Sequence, residues 1–141
     1  AEVEAILQRF QALHAEGYSW GDMAVLYRNK FMGEAVDAAF RNAGIPVSWL
    51  NRDSSSRRKK GEDAVCIVTL HSSKGLEFPV VALPGIGYLP RASDDVGDEA
   101  RLMYVGMTRA MDHLVMTCHQ ASPFVERLRE LPGLQWATET L

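Results

Sequence analysis

A chain of 141 residues with 47% hydrophobic and 23% charged content has the balance of one ordinary globular domain, enough for a single sizeable core. The formal net charge of −3 excludes a protein that coats nucleic acid by bulk charge, but leaves room for contact through a few local groups. Cys66 and Cys118 lie in apolar runs without CxxC spacing or a histidine cluster, which excludes a zinc module and reads as two reduced core thiols.

In chain order, Val3, Ile6, Leu7, Phe10 and Leu13 have the spacing of an amphipathic helix that Gly17 ends. MAVLYR (23–28) reads as a short buried strand. Met32, Ala35, Val36, Ala39, Phe40 and Ala43 predict a second helix, stopped by Gly44 with Pro46 beyond. IPVSWL is a second strand candidate, and the polar stretch 51–63 reads as an exposed loop. AVCIVTL (64–70) and PVVAL (79–83) are continuous apolar runs, as expected for strands covered on both faces of a parallel sheet. A long loop over 84–97 precedes a helix opened by Asp98 and Glu99, whose charge suits a helix N-terminus. HLVMTC (113–118) predicts another strand. Ser122 and Pro123 predict the cap and first turn of a last helix through Phe124, Val125, Leu128 and Leu131. Alternating strands and helices give a layered α/β domain with a mainly parallel sheet, a single unit over 1–141.

No stretch has the pattern of a signal peptide or the length to span a bilayer, so the reading is a cytoplasmic protein with no membrane partner. The first residue is Ala and not Met, which leads us to expect a fragment of a longer chain.

Three segments bring polar groups abruptly onto apolar strands, and we expect them at the carboxyl ends of the sheet, where open α/β sheets bind ligands. Tyr27 and Arg28 close AVLYR, offering an aromatic face for a base and a guanidinium for a phosphate. The bland alternative is a half-buried tyrosine with a surface arginine. VTLHSSKGLEF (68–78) runs a strand into His71, Ser72, Ser73, Lys74, Gly75 and Glu77. Gly75 permits a tight turn, and Glu77 suits ribose hydroxyls. The alternative is a polar turn between two core strands. In DEARLMYVGMTRAMDHLVMT (98–117) Arg109 lies at a helix end, the placement of an arginine finger. The alternative is an arginine that meets its own helix's terminal carbonyls. The phosphate-loop pattern GxxxxGK[ST] occurs nowhere, so the domain lacks its own Walker A.

In combination and order these segments resemble a known family. HSSKGLEFPVV followed by DEARLMYVGMTRA is similar to motifs V and VI of UvrD/Rep/PcrA-like superfamily 1 DNA helicases, and AVLYR followed by a helix and GIPV is similar to their motif IV. The resemblance covers roughly residues 20–120. It implies the second RecA-like lobe of a 3′-to-5′ motor, which clamps ATP against a first RecA-like lobe that holds Mg²⁺. By that resemblance Tyr27 stacks on adenine, Arg28 and Arg109 contact phosphate as the catalytic arginines, and Glu77 with Gly75 holds the ribose. His71 and Ser72 face single-stranded DNA, and duplex DNA is a further partner. Longer relatives insert an accessory subdomain where this chain has only the loop 51–63, which reads either as a short branch of the family or as an engineered replacement by SSSRRKKG. Arg57, Arg58, Lys59 and Lys60 there read as a solvated run, with contact to duplex DNA phosphates the alternative, and Asp94, Asp95, Asp98 and Glu99 as a loop and helix start, with a nuclease metal site the alternative. The competing readings are a degenerate helicase lobe used for interaction or DNA loading, and an unrelated hydrolase using Ser73 and Lys74. The second lacks a GxSxG elbow.

Overall fold

The computed structural model describes residues 2–50, 63–89, 95–133 and 135. The basic run 57–60, nearly all of the polar loop that contains it, and Asp94 of the acidic group lie outside the described residues. The elements are α1 (Glu2–Ala15), β1 (Met23–Tyr27), α2 (Lys30–Asn42), β2 (Val47–Leu50), β3 (Val65–Thr69), β4 (Phe78–Leu83), α3 (Val96–Met107), β5 (Ala110–Met116) and α4 (Pro123–Arg129). Single 3₁₀ turns lie at Trp20–Asp22, His71–Ser73 and Ile86–Tyr88.

The five strands form one sheet in the order β2-β3-β1-β4-β5, and every neighbouring pair is parallel. Side chains alternate across a strand, so β1 feeds two cores. Met23, Val25 and Tyr27 join Ile6, Phe10, Leu13, Val36 and Phe40 under α1 and α2. Ala24 and Leu26 join Met103, Phe124, Val125 and Leu128 under α3 and α4. Both faces of β1 and β3 are therefore covered, which is why their sequences are apolar at nearly every position rather than at alternate ones.

Where the structure departs from the expected boundaries, pairing is the cause. β5 begins at Ala110, three residues before the apolar run, because the Phe78 amide donates to the Arg109 carbonyl at 3.0 Å and starts the ladder early. It is an edge strand, so Met111 and Asp112 can stay exposed. The Tyr18 hydroxyl donates to Asp112 across 3.0 Å, tying the α1–β1 connection to that edge. α3 begins at Val96, capped by Asp95, whose carboxylate accepts from the Asp98 amide at 3.0 Å. Ser122 caps α4 as expected by accepting from the Val125 amide, but the helix stops at Arg129 and leaves Leu131 half-exposed.

One connection is unusual. β3 and β4 run parallel with β1 between them, yet only residues 70–77 join them, with one 3₁₀ turn in place of a helix. That segment runs from the carboxyl end of one strand to the amino end of the other.

Phe10 and Phe40 meet edge to face at 5.7 Å with no exposed surface, at the join of α1 and α2. Phe40→Ala is expected to cost about 3–5 kcal/mol, read as a lower urea midpoint at an unchanged m-value. A loss below about 1 kcal/mol would mean that this contact does not carry the packing of the two helices.

Candidate nucleotide and DNA site

The parallel crossover divides the polar segments between two ends of the sheet, which corrects the expectation of one carboxyl-end site. Tyr27, Arg28 and His71 follow the carboxyl ends of β1 and β3. Glu77 and Arg109 precede the amino ends of β4 and β5.

Tyr27 is 7% exposed, and its ring lies edge-on to Trp49 at 5.6 Å. The other wall is α2: a Cβ at Gly33 would stand 3.0 Å from the ring carbons. Glycine at that position of α2 is what lets the helix lie on the tyrosine. Burial first, and the nearby Glu34 second, push the Tyr27 hydroxyl above its ordinary range, so it stays neutral. The ring is largely buried between Trp49 and α2.

Arg28 also points inward. Its Nε donates to both carboxylate oxygens of Glu99, at 3.0 and 3.3 Å, and its Nη2 donates to Oε1 at 2.8 Å. The side chains of Arg28 and Glu99 are 14% and 5% exposed. A fork of this kind is the strongest geometry available to an ion pair, and removal of one partner leaves the other charge buried. Glu99 lies in the first turn of α3, as expected, and there it also ties that helix to the end of β1.

At β3, His71 is exposed, while the Ser72 amide donates to Thr69 Oγ1 at 3.1 Å. The Ser72 hydroxyl is enclosed, with no hydrogen-bond partner among the described residues. Ser73 is fully buried and donates from Oγ to the Leu70 carbonyl, so it is a turn residue rather than a nucleophile. Gly75 adopts φ +85°, a conformation that glycine takes without strain, and the chain turns there toward β4.

Glu77 is exposed and has no hydrogen bond or ion pair among the described residues. It stands beside Arg109 in the fold, because the next amide, that of Phe78, bonds the Arg109 carbonyl. The Arg109 guanidinium folds back over the last turn of α3. Its Nε donates to the Val105 carbonyl at 3.0 Å and its Nη2 to Thr108 Oγ1 at 3.3 Å. This is the helix-capping arrangement, but it leaves Nη1 and a second Nη2 proton without partners among the described residues. Close contact beneath holds the turn in place: a Cβ at Gly106 would fall 2.3 Å from Leu70 Cδ2.

A family profile described as the UvrD-like helicase C-terminal domain matches residues 48–121, which hold β3, the 70–77 crossover, α3 and β5. The chain belongs to the UvrD-like helicase C-terminal domain family. It is 37% identical to the ATP-dependent DNA helicase Rep of Escherichia coli K12 over 110 residues, which is 72% of this chain and 16% of Rep. It is 42% identical to the ATP-dependent DNA helicase PcrA of Bacillus subtilis 168 over 72 residues, which is 46% of this chain and 10% of PcrA. Over 63 residues it is 51% identical to DNA helicase II of E. coli K12, covering 40% of this chain and 9% of that protein. The UvrD-like chain thus spans less than a fifth of the length of these relatives. The fold is similar to the crystal structure of the C-terminal domain of a possible DNA helicase from Lactobacillus plantarum WCFS1, with a TM-score of 0.69 at 21% identity, covering 92% of this chain and 74% of that one. The fold class is thereby the RecA-like α/β layer arrangement. No helix among the described residues is long and apolar enough to cross a membrane.

In this UvrD-like lobe the Arg28–Glu99 pair is the residue combination that sequence reasoning missed. Glu99→Ala is expected to destabilise the domain by about 3–5 kcal/mol, with Arg28→Met/Glu99→Leu recovering most of the loss. Equal loss in the single and double variants would show that the pair is not a coupled unit.

Proposed function

We propose that this domain is the second motor lobe of an ATP-dependent DNA helicase or translocase moving 3′ to 5′, completing an ATP site with the first RecA-like lobe of the same chain. The observation that carries the reading is the pairing of Arg109 and Glu77 at adjoining strand starts, each with binding capacity unspent. Family membership and the DNA helicase relatives support it.

The chemistry follows from what each group can do. Arg109 holds a fixed positive charge at the end of a helix, and its free N–H groups suit the oxygens of a transferring phosphoryl group. Glu77 is an acceptor that suits ribose hydroxyls, and Gly75 brings the backbone round to present it. GxxxxGK[ST] is absent from this sequence, so the phosphate loop and the Mg²⁺ ligands fall to the first lobe. Arg109 gains its partner only when the lobes close, and loses part of that attraction on hydrolysis. That difference in affinity is what can drive opening and closing. His71, exposed at the other end of the crossover, is the candidate contact with single-stranded DNA, and the adjoining Ser72 takes part through its turn. Tyr27 and Arg28 enter this proposal as supports of the site rather than as its ligands, because one is packed and the other paired.

In the full-length chain, Arg109→Ala is expected to lower DNA-stimulated ATP turnover by about a thousandfold with nucleotide binding largely kept. Glu77→Ala is expected to raise KM for ATP more than it lowers kcat. Unchanged turnover in the arginine variant would end the finger assignment. An inactive wild-type chain would favour a lobe kept for interaction alone.

A further inference from the structure

The hydroxyl of Thr108 is a side-chain link between Arg109 and the end of α3, and the proposed mechanism leaves it unused. Thr108 closes α3 with its backbone still in the helical region and its side chain at the surface. Its Oγ1 lies 3.0 Å from the Tyr104 carbonyl and 3.0 Å from the Val105 carbonyl. One hydroxyl proton serves these oxygens, and the lone pairs of Oγ1 remain for a donor. Arg109 Nη2 takes that place at 3.3 Å. The Val105 carbonyl accepts from Arg109 Nε as well as from Thr108 Oγ1, so carbonyl, hydroxyl and guanidinium close one small ring of hydrogen bonds.

A threonine hydroxyl bonded back to the preceding turn is common in helices and by itself needs no function. The pattern on the guanidinium sets this one apart. Nε and Nη2 make up one edge of the planar group, and both donate to the helix end. A bond at Nε alone would let the plane turn about it; the second bond at Nη2 fixes the plane. The tip, formed by Nη1 and the remaining Nη2 proton, keeps the fork geometry that meets two oxygens of a phosphate at once. The group is thus anchored along one edge and presented along another, and it can engage an anion without leaving the helix. A latch that withheld the arginine would consume the donors at its tip, and here the tip is what stays open among the described residues.

We propose that Thr108 is a positioning residue, whose hydroxyl fixes the plane of the Arg109 guanidinium so that its tip meets the phosphate. The proposal rests on the finger reading of Arg109 given above. Thr108 itself touches no ligand: it acts only through the arginine.

The test is a double-mutant comparison in the full-length chain, reading kcat and KM for DNA-stimulated ATP turnover. Thr108→Val keeps the shape and removes the hydroxyl. It is expected to lower kcat on the order of tenfold, with KM for ATP and the thermal midpoint unchanged. Thr108→Ser returns the hydroxyl and is expected to restore kcat. In an Arg109→Ala chain, Thr108→Val is expected to change the residual turnover no further, because the group it positions is gone. Full turnover in Thr108→Val, or the higher turnover of a released latch, would overturn the proposal. An added loss in the Arg109→Ala background would also overturn it, by giving the hydroxyl a role of its own. A loss that serine does not restore, matched by a lower thermal midpoint, would reduce Thr108 to a cap of α3. Unchanged turnover in Arg109→Ala alone is a separate result, in which the finger reading falls and this proposal falls with it.

Discussion

The buried fork between Arg28 and Glu99 sets the geometry on which the candidate site depends. A buried ion pair adds little net stability over apolar residues of the same volume, because desolvation consumes most of the attraction. What it does add is direction: two fixed planes bonded at three distances between 2.8 and 3.3 Å admit one relative placement of β1 and α3. α3 has 12 residues, a rod of about 18 Å, and Arg109 lies just past its far end. The near end is fixed by charge and the far end by contact, where the absence of a side chain at Gly106 lets the helix sit on Leu70, Leu83 and Leu26. These two fastenings give Arg109 a rigid mount.

The sheet was legible in the sequence wherever burial is complete. The runs that became β1, β3 and β4 are apolar at nearly every position because both faces carry helices, and no other element of this length has that pattern. β5 was legible only in its second half, since an edge strand can begin with Met111 and Asp112 in solvent. Site residues followed a different rule. The roles proposed for Arg109, Gly75 and Glu77 rest on chemistry and spacing that are local. The fate of Arg28 could not be found that way, because Glu99 lies 71 residues away and reads locally as an ordinary helix-start carboxylate. For Tyr27 there was a signal: Gly33, on the inward face of an otherwise sound helix, marks a place where something large needs room.

The two ends of the sheet differ in chemical character. The carboxyl end gathers aromatic rings and the buried Arg28–Glu99 pair. The amino end of β4 and β5 offers one guanidinium and one carboxylate, which suit a compact ligand with phosphate and hydroxyl groups. A domain of this size holds both because a parallel sheet places all its strand starts on one side and all its strand ends on the other.

The crossover 70–77 joins those two ends, and its shortness has a mechanical meaning. Eight residues reach at most about 27 Å when fully extended, and some of that reach is taken up by the turn at His71–Ser73. A helical crossover would carry slack in its flanking loops. This one is short and pinned midway, where the Ser73 hydroxyl donates to the Leu70 carbonyl and the Leu76 amide donates to the Ser73 carbonyl. Only five residues separate His71 from Glu77, so the covalent chain itself holds the two ends of the sheet in one register.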